Sequence, residues 1–174
     1  MSDTPIRLLG LDPGLRATGW GVIEADGNRL RHIADGTVRP PAEGSLAARL
    51  AALRAALARV IDTYRPDEAA VEETFVNRNP ASALRLGQAR GVVLLVPAEA
   101  GLPVAEYPAN LVKKSIVGAG HADKNQIAAM VCALLAIGGV SSSDASDALA
   151  VAICHAHHRA TQGRVAAFAM EPRR

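Results

Sequence analysis

The spacing of apolar residues changes period along the chain, and the changes mark out the elements. Residues 6–11, 18–24 and 30–38 are apolar-rich runs separated by Pro13-Gly14 and by Asp26-Gly27-Asn28, which predicts three strands joined by short turns. Leu46, Leu50, Leu53, Leu57, Val60 and Ile61 then recur at helical spacing, predicting an amphipathic helix over 45–64 that Pro66 closes. Ala69-Ala70-Val71-Glu72-Glu73 reads as a fourth strand, followed by a polar loop over 74–79. Pro80 suits the first turn of a helix running to about residue 99. A fifth strand spans 102–107, a short helix 110–117 is broken by Gly118 and Gly120, and a further helix covers 124–136. The last helix, 143–161, is rich in alanine, and residues from about 162 to 174 read as a flexible tail.

This order predicts an α/β fold with a five-stranded mixed sheet flanked by helices. The first three strands are hairpin-linked and the last two are reached through helical crossovers. No repeat or linker divides the chain, so 1–174 reads as a single domain. Its 174 residues, 49% apolar and 21% charged, exclude a disordered protein. No run reaches transmembrane length and the start lacks a signal-peptide pattern, so a cytoplasmic protein with no membrane association is expected. Cys132 and Cys154 lie among apolar helical neighbours, not in a Cys-x-x-Cys pair, and read as buried thiols. The net charge of +2 permits a nucleic-acid partner without demanding one. Gly87 and Gly91, four apart on one helix, predict a smooth stripe that serves either helix-on-sheet contact or a dimer seam.

The acids carry the chemistry. Asp12 follows the apolar run Leu8-Leu9-Gly10-Leu11 and precedes Pro13-Gly14, so it stands at a strand tip, as a turn former or as a presented carboxylate. Glu72 ends the fourth strand. Asp144 and Asp147, three apart, share a face at the start of the last helix, where Ser143 or Asp144 could act as a cap. Capping and the helix dipole account for one acid there but not for Asp147 beside an apolar run. Convergence of these carboxylates would raise their pKa values, and a hard divalent cation would relieve the crowding. Two such ions about 4 Å apart activate water and stabilise the leaving oxygen in phosphodiester hydrolysis. Lys113, Lys114, His121, Lys124, Arg78, Arg85 and Arg90 lie on segments flanking the acids and suit a backbone-binding groove. Asn77, Arg78 and Asn79 belong to the same loop and are further candidates for DNA contact. Phe75, one of few aromatics, is either a core plug or a wedge against unstacked bases. His155, His157 and His158 read as surface or core residues.

These segments together resemble the RuvC family of Holliday-junction resolvases, of the RNase H-like superfamily. The likeness lies in Leu9-Gly10-Leu11-Asp12-Pro13-Gly14 with Thr18-Gly19, Val71-Glu72-Glu73-Thr74-Phe75, and Ser82-Ala83-Leu84-Arg85-Leu86-Gly87-Gln88-Ala89-Arg90-Gly91. It continues in Val112-Lys113-Lys114-Ser115 and Asp144-Ala145-Ser146-Asp147-Ala148-Leu149-Ala150. The resemblance implies catalytic, metal-holding acids Asp12, Glu72, Asp144 and Asp147, with either Asp or His found at the position of Asp144. It implies basic residues Lys113 and Lys124 near the scissile phosphate, and Phe75 as the base-contacting aromatic. It further implies Mg²⁺ (Mn²⁺ substituting), two ions per site, a homodimer nicking opposed strands of a four-way DNA junction, and a RuvA–RuvB branch-migration partner. A two-fold junction calls for a C₂ dimer on symmetry grounds as well. Trp20 stands where the resemblance leads one to expect tyrosine, and the tail follows no family pattern. The rival readings are an ATP-binding module of the actin, Hsp70 and sugar-kinase type, another RNase H-like nuclease, and a junction-binding protein that does not cut.

Overall fold

A computed structural model describes residues 4–73, 79–118 and 123–170, with side chains as far as Thr161. The elements are β1 (Ile6–Asp12), β2 (Thr18–Asp26), β3 (Arg29–Val38), α1 (Leu46–Tyr64), β4 (Glu68–Glu73), α2 (Pro80–Glu99), β5 (Val104–Pro108), α3 (Ala109–Val117), α4 (Lys124–Leu135) and α5 (Ser143–Met170). They build one five-stranded sheet in the order β3-β2-β1-β4-β5. The first three strands are mutually antiparallel, and β4 and β5 run parallel to β1. This is the mixed sheet that the sequence predicts.

Strand side chains alternate between faces, and here the alternation sorts two cores. Leu9, Leu11, Val22, Ala69 and Val71 pack with Leu53, Leu57 and Val93 of α1 and α2. Leu8, Ile23 and Ala70 face the other way, onto Leu149, Ile153 and the helices α3 and α4. Gly10 shares the parity of Leu8, and Asp12 comes two residues further, so both belong to the α5 face. By the same count Glu68 and Glu72 share the face of Ala70.

Helix α5 lies unusually close to the sheet because three residues facing it have no side chain. A Cβ on Gly10 would fall 2.1 Å from the Ala148 carbonyl oxygen, and one on Gly19 would fall 1.9 Å from that of Asp144. One on Gly21 would meet the Leu149 side chain at 2.6 Å. The alanine richness of α5 has the same cause: Ala145, Ala148 and Ala152 are wholly buried in this contact.

The structure departs from the sequence reading in several places. α5 continues to Met170 instead of stopping near 161. Its start is capped by Ser142, whose Oγ accepts from the Ala145 N–H at 3.1 Å, and not by Ser143 or Asp144. Cys154 is buried but Cys132 only half so. Gly87 and Gly91 meet no atom within 4 Å of a built Cβ, so among the described residues their stripe is not used against the sheet. No helix among the described residues is long and apolar enough to cross a membrane.

Candidate active site

Four carboxylates lie within reach of one another's charge at the end of the sheet where β1 and β4 stop. Pairing of β1 with β4 sets Leu11 beside Val71, so the residues that follow, Asp12 and Glu72, leave neighbouring strand ends side by side. Both point to the α5 face. The close seat of α5 on Gly10 and Gly19 brings Asp144 and Asp147 over them. The loop that leads into α5 is fixed from β3. Thr37 Oγ1 and Ser142 Oγ are 2.6 Å apart, and Asp35 accepts from the Ser141 N–H at 2.9 Å. Behind Asp12, the Thr18 hydroxyl donates to the Gly14 carbonyl at 2.6 Å and closes the turn.

The charges of these acids act on one another. Burial first, and then the charges of Glu72, Asp147 and Asp144, push Asp12 up to about 7. Burial and Asp147 likewise raise Glu72, against the pull of Lys113 and Lys124. Lys124 Nζ lies 3.4 Å from Asp147 Oδ2, and that carboxylate raises its pKa in turn. Arg39 Nη2 donates to Asp144 Oδ2 at 3.2 Å.

The donor set suits a hard divalent cation: all oxygen, from carboxylates whose mutual repulsion a cation would relieve. Among the described residues no three of the His, Cys, Asp and Glu side chains close on a single point as a ready cage. The acids are near enough to feel one another's charge and are held apart, with Lys124 resting on one of them and Arg39 on another.

The other expected contacts divide. Lys113 and Lys124 reach the charge field of Glu72. Lys114 is exposed and touches none of the acids among the described residues. Arg85 lies on a cleft that adjoins Asp144. Arg90 is engaged by Glu106 of β5 and is not a free cation. Asn79 caps α2, its Oδ1 accepting from the Ala81 N–H at 3.0 Å, so its carbonyl oxygen has a local purpose. Phe75, Asn77, Arg78 and His121 lie outside the described residues. His155 is structural. Its Nδ1 faces Tyr107 Oη at 2.8 Å and its Nε2 faces Glu68 at 2.9 Å, while Arg159 holds the other Glu68 oxygen. The sequence reading missed Arg39, Arg16 and Arg49, since nothing local marks which carboxylate or cleft a distant arginine will reach.

Comparison with known proteins agrees with this geometry. Residues 8–155 match the family model described as crossover junction endodeoxyribonuclease RuvC. The protein of that name from Paramagnetospirillum magneticum is 63% identical over 161 residues, 92% of this chain and 97% of the relative. That from Acidiphilium cryptum is 60% identical over 161 residues, covering 92% of this chain and 96% of the relative. The structure of Thermus thermophilus RuvC in complex with a Holliday junction substrate superposes with a TM-score of 0.84 at 33% identity, over 90% of this chain and 96% of that one. The fold is therefore RNase H-like, and the chain belongs to the RuvC family of crossover junction endodeoxyribonucleases.

Proposed function

We propose that this protein is a structure-selective endonuclease that resolves four-way Holliday junctions by paired, symmetric, metal-dependent phosphodiester hydrolysis in DNA recombination and repair. The observation that carries the reading is Asp12, a strand-tip carboxylate raised to about 7 by burial and by three other acids. Such crowding has no structural benefit and suits a metal-assisted phosphoryl reaction. The Thermus thermophilus relative, solved with a Holliday junction substrate, supports the choice of DNA.

In this reading Asp12, Glu72, Asp144 and Asp147 hold Mg²⁺, or Mn²⁺ in its place, as two ions per site. When bound, the ions supply an activated water and charge stabilisation for the leaving oxygen. Lys124 and Lys113 offset the negative charge that the acids and the scissile phosphate bring together. Arg85, Lys113, Lys114 and Lys124 contact DNA, as do Phe75, Asn77, Arg78 and Asn79 of the preceding loop. Asn79 does so through its amide N–H groups, since its oxygen caps the helix.

The reading includes a homodimer. Leu84 and Leu95 of α2 are 66% and 51% exposed, and Gly87 and Gly91 lie open between them on the same face. An apolar, small-residue line of this kind suits a two-fold helix pair. The reading also includes one domain over 1–174, a cytoplasmic location and a RuvA–RuvB partner.

The test uses labelled synthetic four-way junctions with Mg²⁺. Asp12→Asn is expected to bind the junction and leave both strands intact. Cleavage by that variant at the wild-type rate would remove Asp12 from the site. Equal cutting of linear duplex and junction by the wild type would favour a general RNase H-like nuclease. Leu84→Glu with Leu95→Glu is expected to yield a monomer in sedimentation; an unchanged dimer would place the seam elsewhere.

A further inference from the structure

Beside the acids lies an open cleft of about 470 Å³ whose walls include Gly14, Arg16, Arg49, Ser82, Arg85 and Asp144. The three arginines come from three separate segments: the β1–β2 turn, α1 and α2. Nothing in local sequence demands that they meet. Arg49 donates through Nη2 to the Leu15 carbonyl at 3.2 Å, which fixes its guanidinium against the β1–β2 turn. Its Nε is buried with no hydrogen-bond partner. Arg16 and Arg85 are exposed, and neither forms an ion pair among the described residues. The single acid on the wall, Asp144, is already engaged by Arg39 at 3.2 Å. Ser82 adds a hydroxyl from the first turn of α2, where the helix dipole favours an anion.

Three guanidinium groups with one neutralised carboxylate make a site for a strongly anionic, planar-faced ligand, and phosphodiester oxygens match the arginine fork. The cleft shares Asp144 with the acid cluster, so a strand lying on the acids enters it directly. We infer that Arg16, Arg49 and Arg85 grip a phosphate of the cleaved strand next to the scissile one. The inference rests on the nuclease reading, since that reading supplies the strand. It assigns the strand's direction of exit: away from α3 and Lys113, between the β1–β2 turn and the start of α2. The three arginines then act on the register of the strand and touch no reacting atom.

The experiment measures binding of a fluorescent four-way junction across a salt series, using Arg16→Gln with Arg85→Gln, and Arg59→Gln as an exposed charge outside the cleft. Each phosphate that is no longer neutralised should flatten the log–log salt slope by about 0.9, so the double variant, which releases the one gripped phosphate, is expected to reduce the slope by about 0.9 while Arg59→Gln keeps it. Single neutral methylphosphonate linkages on either side of the cut locate the phosphate that is gripped. The wild type should weaken at one position flanking the cut, and the double variant should be indifferent there. A wild-type slope in the double variant, or equal sensitivity of both proteins at every linkage, would overturn the inference. Failure of the wild type itself to cut junctions would instead overturn the nuclease reading, and the two failures are read from separate lanes.

Discussion

Gly19→Ala tests whether the acid cluster is set by backbone contact between β2 and α5. The new Cβ would sit 1.9 Å from the Asp144 carbonyl oxygen and 2.5 Å from its carbon, where real Cβ atoms keep at least 3.0 Å. The first turn of α5 must therefore retreat by about 1.1 Å, the difference between those two oxygen distances. It cannot slide freely, because Ser142 is tied to Thr37 at 2.6 Å and Ala148 lies over Gly10. Overpacking of this kind costs about 1–3 kcal/mol, which for a chain of this size lowers Tm by roughly 2–12 °C. A displacement of about 1 Å at a reacting centre costs on the order of 100-fold in rate. The assay is single-turnover nicking of a synthetic four-way junction at saturating protein, run well below the measured Tm. Gly138→Ala, where the Cβ would meet open space, is the control. The expected result is a folded Gly19→Ala protein that binds the junction and nicks it about 100-fold more slowly. Nicking within twofold of wild type would refute the reasoning, since α5 would then reach its place by some means other than this contact.

Two further outcomes follow from the charges. Folding lifts Asp12 from 3.8 to about 7, so between those values the folded protein holds a proton that the unfolded chain lacks, and stability falls as pH rises through that window. In EDTA, Asp12→Asn should therefore melt higher than wild type at pH 8 with the gap narrowing towards pH 4; a gap absent at pH 8, or constant with pH, would contradict the raised carboxyl. Tyr107→Phe removes the hydroxyl from His155 Nδ1 and leaves a buried acceptor unpaired, at about 1–2 kcal/mol and roughly 2–8 °C in Tm, measured by thermal unfolding.

Much of this arrangement is legible along the chain. Asp12 and Glu72 each end an apolar run, and alternation alone puts Asp12 on the face of Leu8 and Gly10. The burial of α5 follows from its unbroken apolar stretch after Asp147. Other features are hidden for physical reasons. Ser142, Ser143 and Asp144 are all competent caps, and the choice among them depends on Thr37, far away in sequence. Glu68 and Glu72 look alike on one strand, yet they diverge. Burial acts to raise both. At Glu68 the bonds from Arg159 and His155 outweigh it and hold the carboxyl low, whereas at Glu72 Asp147 adds to it. Arg90 resembles Arg85 in the sequence, but Glu106 claims it. Partner choice across the fold is not written locally, and that is where the sequence reading lost resolution.

The glycine seat beneath α5 has a consequence for how such a chain can vary. Two of its contacts, at Gly10 and Gly19, run from main chain to main chain, so no rotamer intervenes between the strand tips and the helix that carries Asp144 and Asp147. Aliphatic residues on the opposite face of the sheet meet α1 and α2 through side chains, which can change rotamer where a backbone contact cannot. The small residues of β1, β2 and α5 that make this seat should therefore be the ones least free to change.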